Sequence, residues 1–243
     1  MSPVRGHSNV QGQRTVGISE KPELVPLDKL AKMFDFNPPR DTGLTTVDAC
    51  TGILDGTGKG FVSLGGNFVR AIPERDAMEK AWRQLAVTVS IATKLNRSHL
   101  VHGQSAYLLP CLVRAEEDMQ ASGSQAVAIE DTFSHIHGSL GKRAPASGQL
   151  LSELAIVAGM AKATLPPHPK WQWDAWTGDY RVVRDLIEQT YPEDFKHFNA
   201  RMFDKGGFYR GNPARQRIWK TDSGKAQFTQ PTVMSALGVG DAP

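Results

Sequence analysis

The feature that most constrains this chain is a short apolar run that stops abruptly. Phe61-Val62-Ser63-Leu64 is cut off by Gly65-Gly66-Asn67. A helix signal follows, because Pro73 suits a first helical position and Glu74 falls in the first turn. That helix is expected to run to about Gln84. A second run, Leu85 to Ile91, is rich in β-branched residues. The spacing is that of a βαβ unit, with a crossover long enough to keep its strands parallel. A third run, Ser105 to Leu109, closes at Pro110, and a shorter fourth covers Ala126 to Glu130. The pattern predicts an α/β fold, with a mostly parallel sheet and flanking helices. Phe61 to Leu64 reads as a buried strand.

Helices are expected on either side of these runs. Asp28 to Phe36 is one short candidate. Thr45 or Thr46 can cap another through Leu54, with Val47, Cys50, Ile53 and Leu54 on one face. From Ser147 to Leu165 apolar positions recur at three- and four-residue steps, and Pro166-Pro167 ends the pattern. A further helix is expected from Asp179 to Thr190, terminated by Tyr191-Pro192. Residues 1–43 and 207–243 are irregular, rich in glycine, proline and charge. Ile218-Trp219, a turn at Asp222 to Lys225, and Gln227-Phe228-Thr229 read as a β-hairpin, and the tail with Gly238 and Gly240 as mobile. Three regions follow: 1–43, 44–206 and 207–243.

Composition narrows the class. Hydrophobic residues make up 40% of the 243 and charged residues 22%, which fits a globular chain. Lys and Arg number 28 against 25 Asp and Glu, a net charge of +3, too mild a surplus to indicate nucleic acid. No run approaches the ~20 apolar residues of a membrane span. The N-terminus lacks a signal-peptide core, so a cytoplasmic location is expected. Cys50 and Cys111 are far apart and read as reduced core residues, with no disulfide framework or structural zinc.

Several motifs carry chemistry beside a plainer reading. Gly65-Gly66-Asn67 sits where an open parallel sheet binds ligands, beyond the carboxyl ends of its strands, or it is simply a tight turn. Thr93-Lys94-Leu95-Asn96-Arg97-Ser98-His99 follows the second strand; its cations can neutralise a diphosphate, or the segment is a solvated loop. Glu130-Asp131 beside His135 and His137 offers acid–base groups, or forms a polar loop over a ligand; a metal would need a third ligand, and none has obvious spacing. Trp171, Trp173 and Trp176 read better as aromatic packing than as a base-stacking platform. No nucleophile–base pair or complete metal site emerges, so no catalytic residue is assigned.

Arg5-Gly-His-Ser-Asn-Val-Gln-Gly12 with Arg14-Thr-Val-Gly-Ile18 resembles a motif of molybdopterin-dependent oxidoreductases, in the branch similar to formate dehydrogenase. The resemblance continues through Leu64-Gly-Gly-Asn-Phe68, Thr93 to His99, Leu109-Pro-Cys-Leu112, Gln125-Ala-Val, Glu130-Asp131, Ile218-Trp219 and Ser223-Gly-Lys-Ala226. It spans nearly the whole chain.

The resemblance implies a Rossmann-like α/β domain over 44–206 that holds one arm of bis-molybdopterin guanine dinucleotide. Gly65, Gly66 and Asn67 would lie beside that arm, as would Thr93 and Lys94. Asn9, Gln11 and Gly12 would touch the pterin region from a neighbouring segment. Many relatives place an Asp at the end of the second strand to bind guanosine; here Ala92 stands there, and the nucleotide-reading residue stays open. The family's iron–sulfur cysteines and molybdenum ligand would lie before this motif, and a C-terminal β-barrel after it. The expectation is therefore a central fragment whose partners are the cofactor and the remaining parts of a split enzyme. The alternative is a non-catalytic remnant, or a nucleotide-binding module without redox activity.

Overall fold

The computed structural model describes residues 9–228. Arg5, Thr229 and the terminal glycines Gly238 and Gly240 lie outside the described residues. The first described segment carries α1 (Val10–Thr15) and α2 (Leu27–Phe34). Next comes α3 (Thr46–Leu54), begun by a reciprocal cap. The Asp48 amide donates to Thr45 Oγ1 at 3.2 Å, and the Thr45 amide donates to Asp48 Oδ2 at 3.0 Å. The predicted apolar face of α3 is only half engaged. Ile53 is buried and Cys50 half-buried, whereas Val47 and Leu54 are exposed.

The parallel sheet forms as expected. Strand β1 (Gly60–Leu64) leads into α4 (Phe68–Ala71) and α5 (Arg75–Trp82), then β2 (Val87–Ala92) and β3 (Ser105–Pro110). The order is β1-β2-β3, with Leu64 opposite Ile91 and Ile91 opposite Leu109. Three details differ from expectation. Strand β1 alternates instead of being buried throughout: Val62 is 55% exposed and Leu64 44%, because β1 is an edge strand covered on one face. Helix α5 starts after Pro73, since Glu74 takes a left-handed φ of 47° ahead of its first turn. A separate short helix, α4, occupies the residues directly after Asn67.

The fourth predicted strand belongs to a different sheet. After a two-stranded ribbon, β4 (Met119–Gln120) and β5 (Gly123–Ser124), strand β6 (Ala126–Glu130) pairs antiparallel with β7 (His135–Leu140). No helix intervenes between Pro110 and Ala126 to carry a parallel crossover, and the four residues 131–134 suit a hairpin. His135 and His137, expected on a loop, therefore sit on a strand.

The helices α6 (Glu153–Thr164), α7 (Trp173–Gly178), α8 (Tyr180–Thr190) and α9 (Phe198–Arg201) follow, and β8 (Phe208–Tyr209) then joins β7. Helix α6 begins later than its periodicity predicts. Ser152 caps it by accepting from the Ala155 amide at 3.1 Å, while Leu151 bridges to Cys111 beside the parallel sheet. Helix α8 matches expectation, with Asp179 as its cap. The tryptophans pack among themselves and on α2, where Trp171 Nε1 donates to the Phe34 carbonyl at 2.8 Å. The expected hairpin after Ile218 forms no strand among the described residues; the sheet partner is Phe208–Tyr209 instead.

Burial is divided among three clusters. Ile53, Val69, Met78, Trp82, Leu85 and Val101 fill the covered face of the parallel sheet. Ala126, Ile136, Phe195, Phe198, Met202 and Phe208 form an aromatic core under the antiparallel sheet. Ile91, Cys111 and Ile156 pin α6 to the other face of the parallel sheet. Both cysteines are free, and burial pushes the Cys111 thiol up to about 11. Among the described residues no helix is long and apolar enough to cross a membrane.

Candidate functional site

Two of the predicted groups of site residues meet at the carboxyl ends of β1 and β2. Gly65 and Gly66 both adopt left-handed backbone, at φ 72° and 80°, and the space where a Cβ would stand is open at each. The turn is held from behind. The Gly65 amide donates to the Ile91 carbonyl at 2.8 Å, and Ser63 Oγ donates to the Gly65 carbonyl at 2.6 Å. Asn67 is exposed and begins α4. Thr93 and Lys94 are exposed at the end of the neighbouring strand.

Asn96 ties the two loops together. Its Nδ2 donates to the Gly66 carbonyl at 3.5 Å, while its Oδ1 accepts from the Ser98 amide at 2.8 Å. The Asn96 amide in turn donates to His99 Nδ1 at 3.1 Å. The sequence reading assigned Asn96 no role. An Asn two residues ahead of a Ser at a strand end is the local signal that identifies such a cap.

Asn9, Gln11 and Gly12 lie elsewhere. Asn9 stands at the start of α1 with φ 52°, beside the outer edge of β6. Its Oδ1 accepts from the Glu130 amide at 3.0 Å and its Nδ2 donates to the Ala128 carbonyl at 3.3 Å. A Cβ on Gly12 would come within 2.4 Å of Asn9 Oδ1, so the glycine is needed for this approach. Gln11 is half-buried on the same helix. These residues thus ride on the antiparallel sheet, away from the Gly65–Gly66 turn.

Two adjoining cavities lie beside Asn9 and Gly12; neither is lined by Gly65, Gly66, Asn67, Thr93 or Lys94. One, of about 290 Å³, is walled by Leu64, Val157, Trp173 and Trp176. The other, of about 190 Å³, takes in Asn9, Gly12, Ala128 and Phe195. They share Leu154 and Val183, and together they make an apolar trough of the size that ligand clefts take. A buried network fixes its walls: Tyr180 Oη donates to Asp118 Oδ2 at 2.5 Å and lies 2.6 Å from Ser152 Oγ, joining α6 to α8. Leu154 and Val183 sit on α6 and α8, and only the fold turns them toward a cleft.

The β6–β7 turn concentrates charge. Asp131 Oδ1 accepts from the Phe133 and His135 amides at 2.8 and 2.9 Å, and its Oδ2 lies 3.2 Å from His137 Nε2. Burial pushes the Asp131 carboxyl up, but these hydrogen bonds outweigh it and hold the group below the ordinary carboxylate value. Glu130 is 2% exposed; its Oε1 accepts from Arg210 Nε at 3.3 Å, and its Oε2 has no hydrogen-bond partner among the described residues. Among the described residues no group of three or more His, Cys, Asp or Glu is arranged to hold a metal ion.

No family model matches the chain. It is 46% identical over 226 residues to protein YdeP of Escherichia coli strain CFT073, covering 93% of this chain and 30% of that protein. A Mycobacterium tuberculosis H37Rv protein named uncharacterized oxidoreductase is 42% identical over 229 residues, covering 93% of this chain and 29% of that one. The chain spans about three tenths of the length of these curated relatives. Across nearly its whole length it is thus similar to one stretch of larger proteins, the mycobacterial one of them named as an oxidoreductase.

Proposed function

We propose that this chain supplies binding surface for molybdopterin guanine dinucleotide within an oxidoreductase resembling formate dehydrogenase. The observation that carries the reading is the paired-glycine turn. Two left-handed glycines with open space beside them let a phosphate-bearing ligand approach the backbone closely, at the strand ends where open α/β sheets bind ligands. The residues present fit the diphosphate of such a group, since Lys94 and Arg97 supply exposed cations on the adjoining loop.

On this reading Gly65, Gly66 and Asn67 bind the dinucleotide, with Thr93 and Lys94 beside it. Asn9 and Gly12 bound the pterin end of the trough, with Gln11 beside them on α1. When bound, the group supplies two-electron redox chemistry at molybdenum. This chain orients it and, through the apolar walls around Leu154 and Val183, excludes water. The iron–sulfur cluster and any metal-ligating side chain belong to further segments of such an enzyme. Those segments are the expected partners.

The test is molybdenum and pterin content after purification from a cofactor-producing host, with the companion segments co-expressed. Stoichiometric pterin in the wild type, falling at least tenfold in Gly66→Val and several-fold in Lys94→Gln, supports the reading. Equal pterin in all three proteins overturns it. Guanine nucleotide bound without molybdenum or pterin would make the chain a nucleotide-binding module instead.

A further inference from the structure

We propose that the open face of the antiparallel sheet carries a separate site for a phosphate group. The site is a groove of about 690 Å³ lined by His135, His137, Asn212, Arg215, Asp131 and Phe133. It opens on the face of the strand opposite the aromatic core, because residues alternate faces along a strand. Ile136 faces the aromatic core, so His135 and His137 face the other way, with Tyr209 directly opposite His135.

The donor set suits a tetrahedral anion. The Arg215 guanidinium lies 5.2 Å from the Tyr209 ring centroid and is in no ion pair among the described residues. Arginine held over an aromatic ring keeps its N–H fork for a phosphate. The Asn212 carboxamide and the His135 and His137 rings line the same space; Asn212 Nδ2 also donates to Ser134 Oγ at 3.5 Å, and His137 Nε2 faces Asp131. Asp131 is the one carboxylate in the lining. Its charge is already engaged: Oδ1 takes two backbone amides and Oδ2 faces His137. The neighbouring Arg210 is committed to Glu130 and Asp194, which leaves Arg215 as the cation lining the groove among the described residues. Phe133 is 61% exposed at the lining, a surface for the organic part of a phosphate ester.

This site is independent of the cofactor reading. It uses no residue of the Gly65–Gly66 turn or of the trough, and it stands or falls separately. The test titrates the purified chain with inorganic phosphate and with phenyl phosphate, by calorimetry and by amide chemical shifts. Saturable binding is expected, with shifts at 135, 137 and 212 and at least tenfold weaker affinity in Arg215→Gln. Lys21→Gln, which removes the same charge from a distant exposed position, should change affinity less than twofold. Tighter binding of phenyl phosphate identifies a phosphate ester as the ligand, and equal affinities identify the free anion. Absence of saturation, or equal weakening by Arg215→Gln and Lys21→Gln, overturns the proposal.

Discussion

The two sheets have three strands each, yet they finish their edges in opposite ways. In the parallel sheet the strand ends open into exposed turns, and one face keeps Val62 and Tyr107 55% and 59% exposed. In the antiparallel sheet the outer edge of β6 is closed by side chains. Arg184 Nη1 donates to the Ala126 carbonyl at 2.8 Å, and the Asn9 carboxamide serves Ala128 and Glu130. Beneath it, Phe195, Phe198 and Phe208 pack at ring separations of 4.8 to 6.5 Å. The difference separates two tasks. The aromatic sheet is packed and sealed at its edge, and the other leaves the Gly65–Gly66 backbone open, as the proposed ligand role requires.

The largest expected effect tests the anchor. Phe198→Ala removes a buried ring and should cost roughly 3–5 kcal/mol in urea unfolding. Val62→Ala, on the open face of the parallel sheet, should change stability by less than about 0.5 kcal/mol. Similar losses at both positions would erase the contrast. A middle-sized effect is expected at the sealed edge. Asn9→Ala leaves one carbonyl and one amide of β6 without their partner, and should cost about 1–3 kcal/mol. Faster hydrogen exchange at Glu130, with the parallel sheet unchanged, would localise that loss.

The smallest effect is acid sensitivity of the β6–β7 turn. The Asp131 carboxyl titrates below its unfolded value, so the folded state favours its charged form. Its contribution is therefore complete above the ordinary carboxylate range and is lost as the pH falls through the lowered value. Side-chain exposure of 36% screens it, leaving less than about 1 kcal/mol. Asp131→Asn should flatten the acid limb of a pH–stability curve by that amount. An unchanged limb would assign the acid loss to other carboxylates.

Local signals were legible where a single residue decides the geometry. Thr45 announces its helix as a cap, and Gly65-Gly66 announces the end of β1. Apolar periodicity marked β2 and β3, because parallel strands read as nearly continuous runs. The partnership of β6 was not legible, since Ala126 to Glu130 has the same character in either sheet and its mate carries the polar sequence His135 to Leu140. Burial of Val62 failed for a related reason: sequence shows that a residue is apolar and leaves unsaid whether anything covers it. The candidate site divides the same way. The glycine turn was readable, and so was the loop with Lys94. The attachment of Asn9 to a strand 119 residues away depends on long-range packing.

The Asn9 carboxamide has a consequence for self-association. One side chain occupies the donor and the acceptor that an incoming polypeptide would use to extend β6, so the molecule carries its own terminator against strand-by-strand growth. Replacing that residue does more than loosen a helix; it uncaps a template. Concentration-dependent assembly of the variant chain, reported by light scattering, is the form that loss would take.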